Sequence, residues 1–455
     1  MDIGDDAKGK NKSLLKILAD KNDKLDLSDS KLKIPFYCNT AYAKIVNSDV
    51  ALKMPFVFHD LSRPNVKNLF VRGYFEYWGG FAELTREITF RLLDHYPNYR
   101  VKVDALRTPV DVDPAIWERV NSLTRTPMFD EKNSIALIVA GPGFAKPEFL
   151  DMESKYKIIY TMLETKDIPD YVQDDINNCD EAWVPTNVDI NRFSKVKNIK
   201  RMRPGIDTAR YHHGIQPIDI VNLRNKFVFG VVGSWNIRKG IKYIIEGFCK
   251  AFWNRDDVAL FLCSKYGTRP HGKEKDNEQR WSIKYEFQQM LKDMDLPKTG
   301  IMPQIVLNDL PMHENIMPHI YASFNALVGA SLGESIWIPG LAAMSMGIPV
   351  IQVNNPCCGY LDYMNVDNSV LYDADGLIKA EEELVEGTSG LYKNQYFYRP
   401  DVYSLVGALQ YTKKEYSALH DRSLDTMIGI REEYSWSKCV VNVDARLSEI
   451  FNKKT

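Results

Sequence analysis

Twice along this chain a buried strand ends in a glycine turn and continues into an amphipathic helix, and no other feature limits the fold as much. The first copy has a strand over 68–75, the pair Gly79-Gly80, and a helix whose apolar residues recur every three or four positions. A strand over 99–106 follows this helix. This order predicts the βαβ unit of a parallel sheet.

The second copy has a strand over 226–235, a loop bounded by Gly233 and Gly240, and a helix over 238–252. Further strand candidates follow in both halves of the chain: 134–141, 156–163, 181–186, 258–265, 304–309 and 325–331. The sequence therefore predicts an α/β protein with two doubly wound domains in series. Ligands are expected where the strand ends of the two domains face each other across a cleft.

Composition agrees with two domains and excludes several classes of protein. A chain of 455 residues is too long for one core, and its 58 basic and 60 acidic residues nearly balance, which argues against a dedicated nucleic-acid-binding protein. We find no apolar run long enough for a membrane span and no apolar core of a signal peptide at the amino terminus. The seven cysteines, Cys357-Cys358 included, lack zinc-site spacing. We expect a soluble cytoplasmic protein with reduced thiols.

Both glycine turns are candidate phosphate sites. Gly79-Gly80 lets the backbone approach a ligand, and free amides at a helix start favour phosphate, although a tight turn without a ligand explains the pair equally well. In the second loop, Arg238 and Lys239 stand at a predicted helix start, where the helix dipole disfavours cations. A bound diphosphate would remove this conflict, because arginine can grip it bidentately. Two solvated surface cations are the alternative.

A third candidate lies in the stretch SLGESIWIPGLAAMSMGIPV, residues 331–350. Glu334 stands between a strand and a helix in this stretch, and Ala342 follows eight residues later. An acid is electrostatically favoured at a helix start, so capping explains Glu334 as well as ligand binding does.

Two further patterns have the residue types of a metal site but favour simpler interpretations. Asp111 and Asp113 have the spacing of a carboxylate pair for a metal–diphosphate complex, yet they precede a predicted helix, which favours capping. His212-His213 lie in a polar connector without carboxylate or cysteine partners nearby in sequence. We therefore predict no metal site at either place.

Taken together, these segments resemble the glycosyltransferase 4 family, which consists of retaining sugar-nucleotide enzymes of the GT-B fold. The resemblance covers roughly 66–455, and its most specific part is residues 313–372, where the family has an "SEGFG"-like loop and the pattern P-x-L-E-A-M-x-x-G-x-P-V-I. "GSWNIRKG" resembles the family's diphosphate-binding loop. "EEYSWSKCVVNVDARLSEIF" resembles the terminal helix that crosses back over the first domain.

The resemblance implies roles around the donor's phosphates. Lys239 matches the family's diphosphate-binding lysine. The family's companion arginine stands where this chain has Ser234, so Arg238 would replace it from the position before the lysine. Gly80, with Gly79 beside it, would offer backbone amides to the donor phosphate.

The resemblance also implies roles around the donor's sugar. Glu334 matches the first acid of the family's E-x7-E signature, which holds the sugar hydroxyls, and the amides of Ser335 and Ile336 would lie beside it. The changed loop "ESIWIPG" would place Trp337 near the donor and indicates an altered choice of donor. Glu164 falls near the place where the family often has a histidine by the sugar.

Ala342 stands where the family has the second acid of the signature, which hydrogen-bonds the donor's ribose. A hydrogen bond to a charged group is worth about 1.5–3 kcal/mol, or roughly a ten- to hundredfold change in binding. Three explanations remain: another group reaches the ribose, the donor has an unusual nucleotide or sugar, or the chain is a degenerate relative. We favour an active enzyme with shifted donor specificity.

The resemblance thus implies a retaining hexosyl- or pentosyltransferase that moves a sugar from a nucleotide-diphosphate sugar to a hydroxyl acceptor, which is a glycan, lipid, protein or small molecule. No cofactor or metal is expected, because fixed cations and helix-start amides can stabilise the leaving diphosphate. One alternative acts on a hydroxylated base in DNA, which the neutral charge disfavours. Another is a catalytically silent GT-B binding or scaffold protein, which Ala342 and Ser234 favour. A sugar epimerase of similar fold is a third alternative, which we favour least.

Four segments are predicted from these patterns. They are a Lys- and Asp-rich extension (1–62), a Rossmann-like acceptor domain (63–215), a Rossmann-like donor domain (216–430) and a helix packing back on the first domain (431–455). The extension, with its short helix, is expected to be a tail or to dock this helix on the body, because the helix's polar face mixes charges; weak peripheral membrane contact is the alternative. The sequence assigns no role to the polar insert at 266–281.

Overall fold

A computed structural model describes residues 66–75, 79–106, 113–265, 282–310, 312, 314–388 and 390–453 of the chain. The predicted extension (1–62), the insert (266–281) and Asp111 lie outside the described residues.

The first domain is built on a parallel sheet of six strands. The strands are β1 (Lys67–Gly73), β2 (Tyr99–Ala105), β3 (Ile135–Val139), β4 (Tyr156–Tyr160), β5 (Glu181–Val184) and β6 (Ile199–Arg201). The helices are α1 (Gly80–His95), α2 (Pro114–Thr124), α3 (Asp170–Ile176) and α4 (Asn187–Arg192). The strand order is β2-β1-β3-β4-β5-β6, and every residue of β3 is buried, as expected for a parallel sheet covered on both faces.

The second domain repeats this architecture. Its strands are β7 (Phe227–Ser234), β8 (Val258–Lys265), β9 (Gln304–Asn308), β10 (Ala326–Val328), β11 (Val350–Val353) and β12 (Val370–Tyr372). Its helices are α5 (Ile241–Phe252), α6 (Ile283–Asp293), α7 (Met317–Tyr321) and α8 (Ile338–Ser345). The order is β12-β11-β10-β7-β8-β9, again parallel. The predicted α/β class with two Rossmann-like domains is confirmed.

A hairpin segment, defined here as residues 374–400, follows the second sheet. It consists of β13 (Ala374–Lys379), α9 (Glu382–Gly387) and β14 (Tyr396–Pro400), with β13 and β14 antiparallel. Because this hairpin belongs to neither parallel sheet, it is an addition to the two-domain plan.

Three helices complete the chain: α10 (Val402–Lys414), α11 (Tyr416–Tyr434) and α12 (Trp436–Asn452). The chain turns at Ser435, which pairs with Ile206, and α12 then crosses to the first domain. A buried apolar cluster joins its residues Trp436 and Val440 to Leu69 of β1. The C-terminal helix predicted to pack on the first domain is therefore present.

The two patterns with the residue types of a metal site, Asp111–Asp113 and His212-His213, contain residues with ordinary local roles. Asp113 caps α2, because its carboxylate accepts a hydrogen bond from the Ala115 amide at 2.8 Å ahead of a helix that starts with proline. The capping interpretation is confirmed for this residue. The ring of His212 accepts from the amide of Gly214 at 3.2 Å, inside the connector. Among the described residues, no group of three or more His, Cys, Asp or Glu side chains is arranged to hold a metal ion.

In the part of the chain that the structure describes, no helix combines the length and the apolar character needed to cross a membrane.

Candidate active site

The second glycine loop, residues 233–240, differs from its prediction in one respect. Arg238 and Lys239 lie in a separate 3₁₀ turn, and α5 begins only at Ile241, so the prediction that the cations start the helix is wrong. The reason is Gly240, whose φ of 65° interrupts the helical path. The turn is capped by Asn236, whose side-chain oxygen accepts from the Lys239 amide at 3.1 Å.

This loop is pressed against the segment that follows β10. A methyl group added to Gly240 would lie 1.9 Å from the carbonyl oxygen of Ala330, so the close approach requires glycine. The amide of Leu332 also donates to the carbonyl of Arg238 at 2.8 Å. Since β7 and β10 are neighbouring parallel strands, the two loops leave the sheet at the same edge.

The Glu334 carboxylate is the point where these two loops meet. It is 3% exposed, accepts from the Nζ of Lys239, and lies 3.1 Å from the Nη1 of Arg238. The hydroxyl of Ser331 donates to it at 2.9 Å. Glu334 therefore does not act as a simple exposed helix cap, because its oxygens bind two cations.

The first domain adds a second acid to this group. The Nη2 of Arg238 lies 3.2 Å from a carboxylate oxygen of Glu164, which follows β4. The other oxygen of Glu164 accepts from the hydroxyl of Tyr392 in the hairpin segment. We call Arg238, Lys239, Glu334 and Glu164 the charge cluster; its members come from both domains and comprise two cations and two anions.

The pKa shifts in the charge cluster follow from burial opposed by pairing. Burial would raise the pKa of Glu334, but Lys239 and Arg238 outweigh it and hold that pKa below its ordinary value. Burial lowers the pKa of Lys239, which Glu334 only partly offsets. Burial would likewise lower the pKa of Arg238, but Glu164 and Glu334 outweigh it and raise that pKa. Pairing therefore outweighs burial for Glu334 and Arg238, whereas burial outweighs it for Lys239.

The structure places the other predicted donor residues in two surroundings. Ser335 and Ile336 are buried in the loop before α8, and the hydroxyl of Ser335 donates to Asp189 of the first domain. Ser234 lies in the second glycine loop, where it accepts from the Asn236 amide group at 2.8 Å. These three residues flank the charge cluster.

Trp337 and Ala342 belong to the core of the second domain. The Trp337 ring is 2% exposed and packs edge-on to Tyr360, with ring centroids 6.3 Å apart. Ala342 is also 2% exposed, inside α8. At Ala342, where the sequence resemblance predicts a position for a second acid, this chain therefore has a methyl group among buried apolar residues.

Gly79 and Gly80 form the start of α1. Gly79 has extended backbone and accepts from the Glu83 amide at 2.9 Å, and Gly80 is exposed, with no heavy atom of the described residues within 4 Å of the place where a side chain would begin. Among the described residues, neither glycine takes part in the hydrogen bonds of the charge cluster.

Two residues at the site escaped the sequence analysis. Tyr392 lies 228 positions from its partner Glu164, and no local pattern predicts such a pair. Asp189 is buried and joins Thr186 of its own helix to Ser335 of the second domain. The spacing of Thr186 and Asp189 is typical of a helix cap, but it does not indicate the contact between domains.

Comparison with known proteins gives a likeness in structure alone. No family model matches the chain, and no curated protein matches its sequence. Among solved structures, sucrose-phosphate synthase from Thermosynechococcus elongatus is 12% identical, with a TM-score of 0.58 over 85% of this chain and 100% of that chain. The Anabaena protein HepE in complex with UDP and glucose is 12% identical, with a TM-score of 0.55 over 84% of this chain and 100% of that chain.

A third similar structure is the UDP-forming α,α-trehalose-phosphate synthase from Burkholderia xenovorans, 12% identical, with a TM-score of 0.54 over 84% of this chain and 99% of that chain. Identity this low shows a shared fold and nothing finer. The chain therefore has the GT-B fold, with two Rossmann-like domains.

Proposed function

We propose that this chain is a glycosyltransferase that moves a sugar from a nucleotide-diphosphate sugar to a hydroxyl acceptor. One observation carries the proposal: Arg238 and Lys239 converge on Glu334 at the strand ends of the second sheet, and Glu164 of the first domain closes the group. Buried cations beside an acid can bind a diphosphate and sugar hydroxyls at the same time. A UDP-sugar is the first donor to test, because HepE is in complex with UDP.

Donor binding would exchange partners within the charge cluster. Without a ligand, Glu334 neutralises Lys239 and shares Arg238. Diphosphate oxygens can take its place on both cations, which leaves the Glu334 carboxylate to accept hydrogen bonds from the sugar hydroxyls. The same cations then face the oxygen on which negative charge develops as the donor breaks.

The transfer itself needs no group beyond these. The bond from the sugar's anomeric carbon to the diphosphate breaks, and its electron pair goes to the leaving phosphate oxygen. The acceptor oxygen forms the new bond on the same face, and its proton passes to a phosphate oxygen, so configuration is retained. We propose that Arg238 and Lys239 supply the electrostatic stabilisation that a metal gives in other transferases. Membership of glycosyltransferase family 4 is part of this proposal.

Ala342 supports an altered donor within the same proposal. The methyl group there cannot hydrogen-bond a ribose, and the side chain is buried. We infer that the ribose is held by another group or that the nucleotide differs from the family's usual donors. The acceptor, and the cytoplasmic location predicted from the sequence, stay predictions.

The decisive experiment measures nucleotide release from UDP-, GDP-, ADP- and TDP-sugars, with a chelator present and no acceptor added. We expect release from one donor, unaffected by the chelator and lost in Glu334→Gln. The variant should still bind the nucleoside diphosphate, because loss of the carboxylate leaves Lys239 free for phosphate. Because water takes the sugar when no acceptor is present, NMR of the freed sugar's anomeric configuration, recorded before it mutarotates, tests retention.

Each other outcome has a definite meaning. Release that the chelator abolishes would refute metal independence but keep the transferase. Unchanged release by Glu334→Gln would refute the role of the charge cluster. If no donor is cleaved and no nucleotide binds, the chain has kept the fold without the reaction, as the silent-protein alternative requires.

A further inference from the structure

We propose that Tyr392 is a positioning residue: the hairpin segment brings its hydroxyl across the domain boundary to Glu164, and Glu164 thereby holds Arg238 at the place of the donor's diphosphate. This inference rests on the proposed function, which it extends to a part of the chain with no counterpart in either parallel sheet.

The hairpin segment is docked on the first domain next to the charge cluster. The amide of Lys166, two residues after Glu164, donates to the carbonyl of Tyr396 at 2.9 Å. Phe397 is 1% exposed and belongs to one buried apolar cluster with Leu163 and Ile168. The segment on both sides of Glu164 is thus fixed by contacts with β14.

Tyr392 itself is buried and packed against a neighbouring aromatic ring. It is 4% exposed, and its ring packs at right angles to Phe397, with centroids 5.3 Å apart. A buried hydroxyl needs a polar partner, and this one donates to Glu164. Since the tyrosine cannot move without leaving its apolar pocket, its hydrogen bond fixes one oxygen of the Glu164 carboxylate.

Glu164 in turn holds Arg238 through Nη2, whereas Glu334 meets Nη1. The guanidinium donates to the Gly333 carbonyl at 2.7 Å, lies 3.1 Å from Glu334, and lies 3.2 Å from Glu164. If the Tyr392 hydroxyl is removed, the Glu164 carboxylate can rotate, and Arg238 loses its anchor in the first domain. A guanidinium can donate two parallel hydrogen bonds to a diphosphate only if its plane is correctly oriented.

The test compares Tyr392→Phe with Tyr396→Phe, which makes the same chemical change at an exposed tyrosine of the same hairpin. Both changes are repeated in an Arg238→Gln background. We measure nucleotide release, the affinity for UDP, GDP, ADP and TDP by calorimetry, and the melting temperature. Tyr392→Phe should reduce release roughly tenfold, as expected for one hydrogen bond to a charged group. Tyr396→Phe should change nothing.

The Arg238→Gln background separates positioning from a structural role. If Tyr392 acts through Arg238, Tyr392→Phe should have no further effect on release or affinity there, while any change in melting temperature persists. An effect of equal size in both backgrounds, or equal behaviour of the two phenylalanine variants, would overturn the inference. If the wild type binds a nucleoside diphosphate but cleaves no donor, the proposed function is refuted while the inference about Tyr392 can still be tested. The nucleotide affinities of the wild type and Tyr392→Phe then test it. If the wild type binds none of UDP, GDP, ADP and TDP, both fail.

Discussion

The two glycine turns share one local pattern but have opposite surroundings. In each, a parallel strand ends in glycines and a helix follows. The first turn opens to solvent at Gly80 and carries an acid, Glu83, in the first helical turn. The second is packed against the Ala330 carbonyl at Gly240 and places Lys239 against Glu334.

This difference shows that the pattern predicts a strand followed by a helix but not the chemistry of the turn between them. The second loop becomes a charged site because the loop after β10 leaves the neighbouring strand and brings Glu334 to it. No such partner closes around Gly80 among the described residues. We therefore expect binding of the proposed donor's diphosphate to depend strongly on the second loop and only weakly on the first.

The largest expected effect is on activity in the second loop. Lys239→Met should lower nucleotide release roughly a hundred- to a thousandfold, as loss of one preorganised charge-stabilising donor does in other enzymes. Lys242→Met, which removes an exposed lysine one turn away on α5, is the matched control and should be active. Steady-state release assays decide. Similar activity of the two variants would place the diphosphate elsewhere.

The next effect is on stability. Gly240→Ala should lower the free energy of unfolding by about 3 kcal/mol, of which 1–2 kcal/mol comes from the left-handed backbone and the rest from displacing the Ala330 carbonyl. Gly376→Ala isolates the first contribution, because Gly376 has φ 66° and its added methyl group would have no neighbour within 4 Å in the part of the chain that the structure describes. Urea unfolding of both variants checks this. Equal losses would mean that the Ala330 contact is relaxed without cost.

Glu83, the acid after the first glycine turn, predicts that the free energy of unfolding depends on pH. Burial, followed by repulsion from Glu87, raises the pKa of Glu83 from 4.5 to about 7. Between these values the native state holds a proton that the unfolded chain releases, so stability falls as pH rises from about 4.5 to about 7. Glu83→Gln should remove this fall and, at pH 8, stabilise by on the order of 2 kcal/mol, discounted for partial exposure.

The control for Glu83 is Glu118→Gln, which changes an exposed glutamate on α2. Urea midpoints of both variants and the wild type, measured at pH 4.5, 6 and 8, give the comparison. A Glu83→Gln variant that follows the wild type at all three pH values would contradict the prediction.

The sequence predicts those elements whose structure is determined by neighbouring residues, and it misses those that depend on residues far away in the chain. Strand β8 was predicted at 258–265 and is found there, because a continuous apolar run needs no distant information. The start of α5 was missed by three residues, because a glycine inside a helical pattern does not reveal its positive φ. The hairpin segment and the Tyr392–Glu164 pair were not predicted at all. Their contacts join positions far apart in sequence, and no periodicity encodes them.

The smallest expected effect belongs to Gly80, and it decides between the two interpretations of the first turn. Gly80→Ala adds a methyl group to open space at a helix start, so the free energy of unfolding should change by less than about 0.5 kcal/mol. If the turn is only a connector, nucleotide release will be unchanged as well. We expect instead a few-fold rise in the donor KM with stability unchanged, because an exposed amide beside a helix start is where a phosphate would approach closely. Urea unfolding and donor titration on one preparation measure both quantities. Unchanged release would leave the diphosphate to the second loop alone.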